Sequence, residues 1–417
     1  MITSRGDIRI RSIPRRVKSA FASLPASFYQ YSGMGFTYWA AMTAPSFSVI
    51  YLQSLGFSAL EIGSMSAVFT LINIVSPPFW GVASDKLRSV RKVLIICVSF
   101  SAIAWFLLPF MVSWVSPVMV LLMLPIYRFF GAPTMALQDS WIIQHVNNDR
   151  RIGFGPIRIW GSVGYAIVAY VFSVLLKTRP LDIVFYGHLL LAAPCIAIML
   201  FMKDEERGVE RSVPLRDMQL SRIVKSAPLM AYLTFNMLLY TPIMASFTFM
   251  PYLVQAVGEH DSFLGVVMCV EAVLEIPLLL YSARLLKRFK ITHMIIACAC
   301  LYTVEITLYG FCQASWQIVA VKCLHGLGYG LYLSSTVQYM YRLAPKGLTS
   351  TAQSLVSCSN ALASMLGNFF GGAIIHYLDV RAFFRFSGLF TLATVAAYTI
   401  WLKKYGGALR EAEAADG

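Results

Sequence analysis

Twelve apolar stretches alternate with polar ones along the 417-residue chain, at about 26–53, 59–84, 92–113, 116–146, 157–177, 181–202, 228–256, 262–284, 291–312, 316–340, 349–377 and 382–402. Each is long enough to cross a bilayer, which takes roughly 20 apolar residues. In lipid the backbone must satisfy its own hydrogen bonds, so each stretch is predicted to be a helix. We number them spans 1 to 12. The connection between spans 3 and 4 is as short as Ser113 to Val115, whereas residues 203–227 form the longest internal polar segment. That segment predicts two halves, 26–202 and 228–402, with tails at 1–25 and 403–417. A weak repeat agrees with the division: span 2 ends Pro78-Phe79-Trp80-Gly81 through Asp85, Lys86 and Arg88, and span 8 ends Pro277-Leu278 through Arg284 and Lys287. The fold class expected is an all-α membrane protein with twelve transmembrane helices in two six-helix halves.

Composition removes the soluble alternative. The chain is 58% hydrophobic and 13% charged, with a mean hydropathy of +0.67. A soluble domain carries about 25% charged residues and has no single core able to hide this much apolar surface. The first 25 residues are basic and polar, and the first apolar run is already membrane-length, so no cleavable signal peptide is expected. The eight cysteines lie within apolar stretches and lack zinc-like spacing, which makes them small core residues. No metal site, hydrolase triad or phosphate-binding loop is evident. Gly326-x-Gly328-x-Gly330 lies inside a membrane span with no strand before it. It and Gly367-x-x-x-Gly371-Gly372 read as close helix packing. The expected chain therefore has no cofactor, is not an enzyme, and is a monomer.

Charge sets the orientation. The net charge is +14, but 28 of the 34 Lys and Arg fall on the tails and loops of one face and four on the other, with Arg128 and Lys322 inside spans. The bias predicts both termini in the cytoplasm. It also explains the basic balance without a nucleic-acid partner. Arg158 is counted here among the cytoplasmic charges between spans 4 and 5.

Several motifs carry a family resemblance. The loop Gly81-x-x-x-Asp85-Lys86 followed by Arg91-Lys92 resembles the signature loop of the major facilitator superfamily. The run Phe154-Gly155-Pro156-Ile157-Arg158-Ile159-Trp160-Gly161 is similar to the entry of helix 5 in the branch that holds lactose permease, nucleoside–proton symporters and the phenylpropionate transporter. Gly131-Ala132-Pro133 with Leu137-Gln138-Asp139-Ser140, Glu275-Ile276-Pro277, and Lys322-Cys323-Leu324-His325 agree with that branch. Gly328 stands where lactose permease has an acid, and Glu305 stands where related carriers often have Arg. The resemblance implies a secondary transporter working by alternating access. It also implies that Gly81, Asp85 and Arg158 serve structure or gating.

Ionisable side chains within lipid cost about 2.5–3.5 kcal/mol each and are functional candidates by default. Glu271 and Glu275 are four residues apart and share a helix face. Their mutual repulsion favours a bound proton on one of them. With His325, which titrates near neutrality, they form the predicted proton-coupling set. Glu305 and Lys322 sit at similar depth on adjacent antiparallel spans, which predicts a structural ion pair. Arg128 at mid-depth offers a rigid fork of donors, either for substrate or for an acid; Asp139, eleven residues on, is too far along the same span for direct contact. Tyr29, Tyr38, Trp39, Asn236 and Tyr240 are candidate walls of a substrate cavity. The expected function is proton symport of a small organic solute: a sugar, nucleoside or aromatic acid. Proton-driven export of amphipathic compounds would share the fold and the carboxylates, and an apolar cavity would favour it. A membrane enzyme or receptor lacks support, because neither a catalytic constellation nor a sizeable cytoplasmic domain is visible.

Overall fold

A computed structural model describes residues 25–148, 153–204, 226–343 and 349–405. The predicted N-terminal tail, nearly all of the 203–227 linker and the C-terminal tail beyond Tyr405 lie outside these residues. The helices are α1 (Ala26–Met42), α2 (Ser48–Ser54), α3 (Ala59–Lys86), α4 (Val90–Trp114), α5 (Val120–Gly131), α6 (Thr134–Asn148) and α7 (Phe154–Leu175). They continue with α8 (Ile183–Phe201), α9 (Ala227–Ala256), α10 (Phe263–Arg288), α11 (Ile291–Tyr309), α12 (Ser315–Leu343), α13 (Thr349–Tyr377) and α14 (Val380–Tyr405). Each predicted span is found within a few residues of its expected ends. Spans 1 and 4 are each built of two helices, α1 with α2 and α5 with α6. Among the described residues, nine helical segments, with α5 and α6 of the fourth span taken together, are long and apolar enough to cross a membrane. The other three spans are the broken first one and those that carry Glu271, Glu275, Lys322 and His325.

Packing repeats with a shift of six spans. In the first half α1 packs on α7 and α8, and α4 packs on α5 and α8. In the second, α9 packs on α13 and α14, and α11 on α12 and α14. The halves join through α3 against α13 and α7 against α10. These are equivalent pairs under the same repeat, so the weak sequence similarity between spans 2 and 8 reflects a real structural duplication.

Proline explains the two broken spans. Proline has no N–H, so it leaves the carbonyl four residues earlier without a partner. Pro45 follows α1, and the carbonyl it frees, Ala41 O, accepts from His188 Nδ1 at 2.7 Å. Pro133 separates α5 from α6. The carbonyl it frees, Phe129 O, accepts from Ser76 Oγ and from Trp80 Nε1, the latter at 3.1 Å. Neighbouring helices thus satisfy both breaks, as a low-dielectric environment demands. Ser46 and Ser48 at the first break, and Arg128 just ahead of the second, line the space between the halves.

The halves touch at the end of the bundle remote from the termini. There Gln53 and Gln255 exchange side-chain hydrogen bonds at 3.0 Å. Glycines let the backbones meet: a Cβ on Gly372 would lie 3.0 Å from Gly63 Cα, and one on Gly265 would lie 3.0 Å from Ser173 N. Such contacts need small residues. Gly372→Val should therefore hold this end apart. The check is the labelling rate of a cysteine at Ser66, on the cavity wall, by a membrane-impermeant thiol reagent added from this side. The rate should rise several-fold over the parent, and an unchanged rate would show that the Gly63–Gly372 contact does not close the path.

Candidate functional site: a charged cavity between the halves

A cavity of about 460 Å³ lies between the two halves, within the range of small-molecule sites. The first half contributes Trp39, Ser46, Ser48, Ser66, Arg128, Arg158, Ser162 and Tyr165. The second contributes Phe247, Thr248, Glu271, Glu275, Lys322 and Tyr329, with several methionines. One wall thus carries two arginines, and the opposite wall carries two carboxylates and a lysine.

Arg158 corrects the sequence reading. The charge bias counts it as a loop charge, but α7 begins at Phe154, so Arg158 already lies in the second helical turn and faces the cavity. Its guanidinium stacks over the Trp39 ring at 4.3 Å from the centroid. Gly161, one turn on, makes this possible, because a Cβ there would lie 3.0 Å from Arg158 Nη1 and closer still to the Trp39 ring. Arg158 is within electrostatic reach of Glu275, on the opposite wall of the cavity, and of Asp139. Asp139 itself is half-buried on α6 and is not on the cavity wall.

The second half holds a buried chain of ionisable groups. Lys322 Nζ lies 3.0 Å from Glu271 Oε2 and 4.8 Å from the centroid of the Phe247 ring. His325 Nε2 lies 3.2 Å from Glu271 Oε1, close enough for charge attraction but not aligned as a hydrogen bond. On its other side, His325 Nδ1 lies 3.1 Å from Glu305 Oε2. Tyr309 OH donates to Glu305 Oε1 at 3.0 Å. Tyr329 stacks on the His325 ring, with centroids 5.8 Å apart. Lys322, His325 and Glu305 are buried, while Glu271 opens partly onto the cavity.

The predicted Glu305–Lys322 ion pair is therefore not formed. Lys322 pairs with Glu271, and Glu305 pairs with His325. Depth along the spans allows either pairing; the rotation of α11 decides it, because it turns Glu305 toward His325. Glu271 is likewise not a carboxylate opposed only by Glu275, since it carries Lys322. Glu275 has no hydrogen-bonding partner among the described residues and faces the cavity one turn from Glu271.

The candidate wall residues divide. Trp39 and Arg128 line the cavity. Tyr38 is buried, and its hydroxyl meets Thr134 Oγ1 at 2.5 Å, tying α1 to the start of α6. Tyr29 is 49% exposed near the start of α1, away from the cavity. Tyr240 is buried against Tyr332. Asn236 is fully buried, donates to Asn360 Oδ1 at 2.7 Å and accepts from Tyr332 OH at 3.1 Å. These three buried residues serve packing. Asn236→Ala would leave the buried Tyr332 hydroxyl and the half-buried Asn360 amide without this partner, so it should cost about 2–3 kcal/mol of stability. A thermal melt of the purified variant checks this, and solute affinity at the permissive temperature should be unchanged. Gly81 has open space around it and Asp85 is exposed at the end of α3. Sequence reasoning missed Phe247, Tyr165, Tyr329 and the small hydroxyl residues of the cavity. The available signal was Ser46 and Ser48 beside a proline that interrupts an apolar span.

The "MFS_1 like family" model matches residues 28–386. The maltose permease of Geobacillus stearothermophilus is 23% identical over 361 residues, covering 86% of this chain and 90% of that protein. The sucrose permease of Escherichia coli is 31% identical over 185 residues, 42% of this chain and 43% of its own length. The crystal structure of the nucleoside transporter NupG superposes with a TM-score of 0.77 at 17% identity, covering 91% of this chain and 100% of that one. The fold is thus that of a multi-pass membrane transporter of small solutes rather than of an enzyme. With the family match spanning most of its length, the chain belongs to the MFS_1 like family of the major facilitator superfamily.

Proposed function

We propose that this transporter is a proton symporter that imports a small polar organic solute by alternating access, with both termini in the cytoplasm. The observation that carries the coupling is the contrast between two carboxylates one turn apart: Glu271 is held by Lys322, whereas Glu275 faces the cavity with no hydrogen-bonding partner among the described residues. The buried chain of Glu271, His325, Glu305 and Lys322 contains two carboxylates and one ammonium. Glu271 and Glu305 are thus each engaged within the second half. Glu275 has no such partner and faces the cavity, so it is the group through which a proton and the solute exchange influence. Solute binding beside Glu275 favours the state in which it is protonated, and this difference in affinity between states is the coupling.

The lining supports a polar solute. Serine and threonine hydroxyls, two arginines and two carboxylates suit a hydroxyl-rich or charged molecule better than an amphipathic drug-like one. The similar proteins named as maltose, sucrose and nucleoside permeases support the same size class. The Lys and Arg bias supports the orientation, and contact at the end remote from the termini corresponds to a state open toward the cytoplasm. Cysteine labelling from outside the cell should reach a probe at Glu259 and spare one at Arg211. The opposite pattern would reverse the orientation. The function itself is tested by uptake of a mixed solute panel into proteoliposomes with an imposed pH gradient. Accumulation of a panel member only when the gradient is present supports the reading, and accumulation indifferent to the gradient would refute the coupling.

A further inference from the structure

Behind Arg128 lies a second chamber of about 240 Å³, inside the first half and continuous in its lining with the main cavity through Ser46, Ser48, Val49, Ser66 and Arg128. The broken first span and α5 form its sides. Its remaining walls are largely apolar and aromatic, with Phe69, Trp105, Leu124 and Tyr127. No Asp or Glu is among the described residues that line it. Trp105 is 1% exposed, and its indole N–H has no hydrogen-bond partner. The chamber therefore offers a guanidinium and hydroxyls, but no anion to answer them.

The main cavity leads to the same surplus. Three cations line it, Arg128, Arg158 and Lys322, against two carboxylates, Glu271 and Glu275. Lys322 is taken by Glu271. Arg158 lies within electrostatic reach of Glu275 and Asp139. Arg128 alone is left without an acid among the described residues. A guanidinium held within a membrane span without a counter-charge is unfavourable, and its fork geometry matches a carboxylate bidentately. We infer that the transported solute is an organic acid whose carboxylate docks on Arg128 at the mouth of this chamber, with the less polar part of the molecule reaching in among Phe69, Leu124 and Tyr127. A neutral sugar would leave the charge of Arg128 unanswered. The inference rests on the reading of this cavity as the transport site and narrows its substrate class.

The test uses purified full-length protein and pairs of solutes that differ in one acidic group: benzoate against benzyl alcohol, orotate against uracil, glucuronate against glucose, and gluconate against sorbitol. Thermal stabilisation at millimolar concentration is the readout. At least one acid should raise the melting temperature by about 2 °C or more while its neutral partner does not. Arg128→Gln should abolish that shift, and Arg128→Lys, which keeps the charge without the fork, should retain part of it. Stabilisation by neutral members alone, by no acid at all, or by acids equally well in Arg128→Gln would overturn the inference. Should Arg128→Gln fail to fold, the contrast between acids and neutral partners in the parent protein still decides. Failure of the transport reading would look different: acids would bind in an Arg128-dependent manner but would not cross a vesicle membrane.

Discussion

Replacing Glu271 by Gln should destabilise the protein by about 3–5 kcal/mol, and adding Lys322→Met to the same chain should restore most of the loss. The lone variant strands Lys322, whose side chain is 3% exposed and whose nearest acid is removed. The reverse single change, Lys322→Met, should cost less. Glu271 is 21% exposed through the cavity, so water and the nearby His325 still serve its carboxylate. That asymmetry is a consequence of where each partner sits, and a symmetric surface pair would not show it. The combination Glu305→Gln with Lys322→Met should show no rescue, since Glu305 is engaged by His325 and Tyr309 instead. Melting temperatures of the purified variants decide the matter. Rescue of Lys322→Met by Glu305→Gln would restore the pairing expected from depth alone and contradict the geometry described above.

That mistaken pairing marks the boundary of what the sequence could reveal. Apolar length locates all twelve spans, because lipid imposes one requirement on every spanning segment. The same requirement singles out Glu271, Glu275, Glu305, Lys322 and His325, since each breaks an apolar run. Partner choice is different. It depends on the rotation of each helix about its axis, and spacing along one span says nothing of its rotation against another. Arg158 shows a second limit. At the predicted margin of span 5 it reads as an interfacial charge; only the onset of α7 at Phe154 puts it in the second turn, over Trp39. Proline breaks are local and legible in principle at Pro45 and Pro133. The groups that satisfy them are not, since His188, Ser76 and Trp80 come from other helices.

The strongest functional effect is expected at Glu275. It faces the cavity, stands across from Arg158, and is free of the ion pairs that hold Glu271 and Glu305. Glu275→Gln keeps the shape and hydrogen-bonding capacity of the protonated acid but carries no exchangeable proton. Solute binding should survive, and so should exchange of solute across the membrane, since exchange moves no net proton. Uphill accumulation should be lost. For one proton per solute, a gradient of one pH unit supports about tenfold accumulation, worth about 1.4 kcal/mol, and the variant should settle at equal concentrations on both sides. His325→Gln should weaken accumulation less, because Glu275 would still load and release its proton.

Coupling is the central claim, and it is read most directly by recording proton and solute movement together in weakly buffered proteoliposomes that hold either the parent protein or Glu275→Gln. The account predicts that solute entry into the parent vesicles carries protons with it in a fixed ratio, and that the variant exchanges solute with no proton movement. Solute entry without protons in the parent, or unchanged proton movement in Glu275→Gln, would contradict it.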